Sequence, residues 1–131
     1  MSFTLILLAI GFVLALDAVW LGLMKSAYAS QVQRVQHSPL KVKYVYALAS
    51  YICVVIGIVV FAVPLAKKSG YSTPLAALIY GGGLGLVVYG VWNFTNLAVF
   101  KDFGVTMALV DLSWGITLYT LVTFALLSLG R

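Results

Sequence analysis

Two carboxylic acids and two carboxamides stand where almost nothing else is polar: Asp17, Asp111, Asn93 and Asn96. With Tyr51 and Tyr89 they carry the chemistry this sequence could do, which is to hold a proton, a cation or a polar or lipid head group. An aspartate at the centre of a membrane helix costs about 2.5–3.5 kcal/mol on insertion scales, so such residues turn inward and find partners. No basic residue lies inside the apolar runs. The partners must therefore be Asn93, Asn96, Tyr51, Tyr89, Ser113, water, each other or a bound cation. Two acids that meet in such a place would share a proton. The same groups could also do no more than bond helix to helix.

Other site chemistry has little support. No Ser, Cys or His arrangement suited to nucleophilic catalysis lies in the apolar runs. Two carboxylates do not make a metal cluster, so neither a metal nor a cofactor is expected. The single cysteine, Cys53, lies deep in an apolar run and can form no internal disulfide. The reading leans away from an enzyme.

The elements that must position these groups follow from composition. Of 131 residues, 63% are hydrophobic and 8% are charged, against about 25% charged in soluble domains. That excludes a soluble domain, a disordered tail and a secreted disulfide scaffold, and leaves an integral membrane protein. A spanning helix needs about 20 apolar residues. Four segments qualify: Phe3 to Met24, Tyr44 to Leu65, Pro74 to Phe100 and Val105 to Leu129. The expected fold is an all-α four-helix transmembrane bundle, with 1–131 as a single domain. The first segment lacks a basic lead-in and a small-residue cleavage site, so it reads as a retained helix rather than a signal peptide. Between helices one and two, Tyr28, Val32 and Val35 repeat at helical spacing among polar residues, which predicts a short interfacial helix.

Counting places the polar residues at one depth. Asp17 lies eight residues before Lys25, and Asn93 and Asn96 lie eight and five residues before Lys101. Ser50 and Tyr51 lie seven and eight residues after Lys43, and Asp111 lies about six residues into helix four. Helices one and three run toward that face, and helices two and four run away from it. One convergent layer is expected, roughly 12 Å inside the face at 1.5 Å per residue.

Packing signals surround the layer. Ala77, Gly81 and Gly85 keep small-xxx-small spacing, and Asn96 projects within about 20° of Gly85 and of Tyr89. Trp20, Trp92 and Trp114 read as packing or interfacial anchors. Asp17 and Trp20 close helix one at i, i+3, and Asp111 and Trp114 open helix four at the same spacing. The helices are antiparallel, so this echo is two similar solutions to one layer rather than an inverted repeat.

Three stretches together resemble a known family. They are Asp17-Ala18-Val19-Trp20-Leu21-Gly22, Tyr89-Gly90-Val91-Trp92-Asn93-Phe94-Thr95-Asn96-Leu97-Ala98 and Asp111-Leu112-Ser113-Trp114-Gly115. The family is domain of unknown function 2177, small predicted membrane proteins of bacteria, algae and large algal viruses. His37-Ser38-Pro39-Leu40-Lys41 looks like the algal and algal-virus version. The resemblance spans nearly the whole chain and implies four helices and a membrane address, with no established activity. It gives a loose hint toward lipid. Asn93 stands where many relatives are expected to carry Asp.

The expected function is a small polytopic protein that binds or transports a proton, cation or head group at the Asp/Asn layer. The alternative is an accessory subunit of a larger assembly, with the layer as interhelical glue. Expected partners are membrane lipids and either a second copy or other membrane subunits. Nucleic acid is not expected, because the basic residues flank apolar runs and are not interleaved with aromatics. Lys25, Arg34, Lys41, Lys43 and Lys101 fall on one face, against Lys67, Lys68 and Arg131 on the other. The positive-inside rule then puts the Lys25–Lys43 loop and the Lys101 link in the cytoplasm, and both termini opposite.

Overall fold

The computed structural model describes residues 2–130, so Arg131 lies outside the described residues. Four helices are long and apolar enough to cross a membrane: α1 (Phe3–Gln36), α2 (Tyr44–Lys68), α3 (Thr73–Val99) and α4 (Val105–Leu129). They run up and down, and no strand occurs among the described residues. Large apolar side chains cover the outside, with Val19, Leu23, Val45, Val87 and Val91 all exposed. In water such a surface would aggregate; in lipid it is the ordinary exterior of a bundle.

The first helix differs from expectation. Residues 26–36 do not form a separate interfacial helix but continue α1 without a break. Ser2 opens the helix by accepting from the Leu5 amide at 3.3 Å. No glycine or proline interrupts the stretch from Lys25 to Gln36. The helix ends at His37, which adopts φ 55° and returns its amide to the Gln33 carbonyl. With 34 residues, α1 is about 51 Å long, well beyond a hydrocarbon core of about 30 Å. Its last turns stay in line because they are tied to α4: Tyr28 bonds to Asp111, and Gln31 accepts from the Gly104 amide at 3.1 Å.

Helices α2 and α3 each contain a wider, π-helical stretch, at Gly57–Ala62 and Ala77–Gly82. In α2 the reason is Pro64. It lacks an N–H and crowds the preceding turn, and the wider turn before it, closed by Val63 N–H to the Ile58 carbonyl, relieves that conflict. In α3 the stretch ends in Gly81 and Gly82, with Gly83 next, and these offer no side chains to hold the narrower pitch. The two stretches lie against each other.

The core packs around α4 and includes Ala9, Val13, Ala62, Ala77, Leu118, Val122 and Leu126. Helices α3 and α4 are nearly in backbone contact. A Cβ at Gly81 would lie 2.5 Å from Thr123 Oγ1 and 2.6 Å from the Tyr119 carbonyl oxygen. A Cβ at Gly85 would strike the Gly115 carbonyl, and one at Gly115 would strike the Tyr89 ring. Helix α2 behaves differently. Its first half, Tyr44–Ile56, approaches only α1, and no Cα there comes within 8 Å of α3 or α4. The bundle is therefore closed at the end holding Lys67 and splayed open between α2 and α3 at the other.

Candidate functional site

The splay exposes a cavity of about 550 Å³, whose lining includes Asp17 of α1, Asp111 and Tyr119 of α4 and Tyr89 of α3. From α2 come Ser50, Tyr51, Cys53 and Gly57, and from α3 Val88 and Trp92 complete the wall. Ser50, Cys53, Val88 and Trp92 are exposed, so the mouth opens on the side of the bundle. The closed end of the cleft sits at Gly57. A Cβ there would come 3.3 Å from Leu84 and 3.7 Å from the Tyr119 ring, so a bare backbone lets α2 lean on α3 and α4 at this point.

Each acid receives two hydrogen bonds, one from a phenol and one from an N–H. Asp17 is buried; the Tyr51 hydroxyl donates to its Oδ2 and the Trp114 indole to its Oδ1 at 2.9 Å. Asp111 is half-buried; the Tyr28 hydroxyl donates to its Oδ1 at 2.5 Å and the Asn93 amide to its Oδ2 at 2.7 Å. The Trp20 indole donates to the Tyr28 hydroxyl at 2.9 Å, which orients that phenol toward Asp111. The indoles of Trp20 and Trp114 stack in parallel, 4.7 Å between centroids and 2° between planes.

The arrangement is crossed. Asp17 and Trp20 are on α1, and Asp111 and Trp114 are on α4. Trp114 serves the acid of α1, and Trp20 serves the acid of α4 through Tyr28. The i, i+3 spacing makes this possible, because it puts acid and indole on one helical face. Every helix contributes: Asp17, Trp20 and Tyr28 from α1, Tyr51 from α2, Asn93 from α3, and Asp111 and Trp114 from α4.

Other residues of the expected layer fall elsewhere. Asn96 is buried, but its amide donates to the Trp92 carbonyl of its own helix at 2.8 Å and meets neither acid. Ser113 is exposed and donates to the Leu109 carbonyl. Ser50 lines the cavity while its hydroxyl donates to the Ala47 carbonyl. Tyr89 lies over Gly115 and meets the Tyr119 ring in a T-shaped arrangement, 6.2 Å between centroids at 82°. It lines the cavity but is not a donor to either acid. Gly81 and Gly85 lie in the α3–α4 seam, and Trp92 stands exposed at the cavity mouth. Tyr28 was not anticipated as a partner. Its spacing with Val32 and Val35 suited an interfacial helix, and nothing in the sequence says that α1 continues and folds the phenol back to Asp111.

Among the described residues no group of three or more His, Cys, Asp or Glu side chains could hold a metal ion. What the site can do is present two acids, already oriented by hydrogen-bond donors, to a molecule arriving from the side. The family model described as "Predicted membrane protein (DUF2177)" matches residues 2–127. The chain belongs to this family. Neither the curated proteins nor the solved structures contain a match. For this family member, membrane residence is supported by the family model and by four apolar helices of spanning length.

Proposed function

We infer that this protein is an intramembrane binding protein whose side cavity receives a cationic group, the ammonium of an amphiphile. The observation that carries this reading is that two carboxylates from different helices face one cavity in a region with no basic residue. Uncompensated acids in a low-dielectric layer are costly, and they favour either a proton or a positive guest. Two donors per acid leave further carboxylate lone pairs free to accept. The cavity volume suits a head group. Its mouth opens to acyl chains rather than to water, which suits a molecule with a charged head and an apolar tail. The exposed Trp92 ring at the rim offers a face to a passing cation. In this reading the Lys25–Lys43 side of the bundle faces the cytoplasm.

The test is a titration of delipidated protein with dodecylammonium. The wild type should bind, and Asp17→Asn and Asp111→Asn should each weaken binding about tenfold, equivalent to ~1.4 kcal/mol. Ser113→Ala should change nothing. Wild-type affinity in both aspartate variants would end this reading.

A second reading has its own support, since all four helices contribute to the hydrogen-bonded network. Here the network is glue and the chain is an accessory subunit. Asp17→Asn would then lower the melting temperature with no ligand to lose, and native purification would recover a stoichiometric membrane partner.

A further inference from the structure

A separate pocket of about 510 Å³ lies where the end of α1 meets the α3–α4 turn, lined by Arg34, His37, Lys101, Asp102, Phe103 and Gly104. We propose that it binds a phosphate group, of a lipid head group or of a soluble phosphomonoester. The proposal does not depend on the aspartate cavity. Gly104 is seven residues before Asp111, about 10 Å along α4.

Several features converge there. Gln31 is 5% exposed, and its Oε1 accepts from both Arg34 Nη2 at 2.8 Å and the Gly104 amide at 3.1 Å. That one oxygen fixes the guanidinium beside the start of α4 and leaves its other N–H groups available. The guanidinium fork matches phosphate oxygens in pairs. Helix α4 begins at Gly104 with no side-chain cap, so its first-turn amides and positive dipole end add to the field. Among the described residues neither Arg34 nor Lys101 forms an ion pair. The buried Gln31 Nε2 has no partner, although the same amide touches two residues that line the pocket. Asp102 opposes this as the only acid of the lining, and Arg34 with Lys101 outweighs it.

The experiment uses the full chain, delipidated in a neutral detergent. The lipid probes are dioleoylphosphatidic acid and, lacking the phosphate, dioleoylglycerol, each followed as an adduct by native mass spectrometry. The second arm adds inorganic phosphate as competitor. Phosphatidic acid should bind at least about tenfold tighter than dioleoylglycerol, a difference of ~1.4 kcal/mol. Arg34→Gln and Lys101→Gln should each weaken it several-fold, and Asp102→Asn should tighten it. Lys41→Gln, at a basic residue of the α1–α2 connection outside the pocket, should leave it unchanged. Should Arg34→Gln fail to fold, Arg34→Lys keeps the charge, loses the fork and should still weaken binding. Displacement by millimolar phosphate identifies a soluble ligand, and its failure identifies the lipid. Equal binding of the two lipids overturns the proposal. So does a loss in Lys41→Gln matching that in Arg34→Gln, because diffuse surface charge would then account for the effect.

Discussion

Tyr28 is the residue through which two groups are satisfied at once, accepting from Trp20 and donating to Asp111. Tyr51 makes one such bond, to Asp17. Interhelical hydrogen bonds in membranes average about 0.6 kcal/mol and reach about 1.7. Tyr28→Phe should therefore cost roughly twice what Tyr51→Phe costs, measured as thermal or denaturant unfolding in one detergent. Equal costs would mean that the Trp20 indole readily finds another acceptor. Trp114→Phe should also exceed Tyr51→Phe, because it removes both a donor to Asp17 and one member of the Trp20 stack.

At the scale of elements, the α3–α4 seam depends on missing side chains, and the glycines of α3 are not equivalent. Gly85 and Gly115 have no room for a methyl, while Gly83 faces open space. Gly85→Ala and Gly115→Ala should cost about 1–3 kcal/mol by forcing the helices apart. Gly83→Ala should be neutral or stabilise by up to about 1 kcal/mol through helix propensity. Melting curves of the three variants separate these outcomes.

The sequence made the four spans legible, because twenty apolar residues in a row have few other uses. It also made depth legible, since rise per residue is fixed. Counting gives height and not azimuth. Asn96 lies at a suitable height, but its amide turns back onto the Trp92 carbonyl. Ser113 likewise turns outward. Helix past Lys25 was legible in the Tyr28, Val32 and Val35 spacing, but its unbroken union with the first span and the splay of α2 are tertiary outcomes. The π-helical stretch of α2 left one trace, Pro64 inside an apolar run. The small-residue spacing of α3 was visible, but not that Gly115 and Tyr89 would complete the seam from both sides.

For the whole molecule, the decisive trait is an unequal bundle, sealed where the π-helical stretches meet and parted between the first half of α2 and α3. Cys53 is exposed and lines the parted side, so it reports on the cavity. A lipid-soluble maleimide should alkylate Cys53, and dodecylammonium should slow that reaction in the wild type but not in Asp17→Asn. Bridging Cys53 to an introduced cysteine in Val88→Cys with a short bifunctional reagent should block ammonium binding without lowering the melting temperature. Unchanged binding after bridging would show that the guest does not pass between α2 and α3.

The interlaced Asp–Trp pairs have a consequence for how this chain can drift over generations. Each indole supports the acid of the opposite helix, so a change at Trp20 is felt at Asp111 through Tyr28, and a change at Trp114 is felt at Asp17 beside Tyr51. In related chains, substitutions at 20, 28 and 111 should travel as one set and those at 17, 51 and 114 as another. The inheritance units of this site would then be two trios that each straddle helices, rather than the two short stretches of sequence in which the acids and indoles sit.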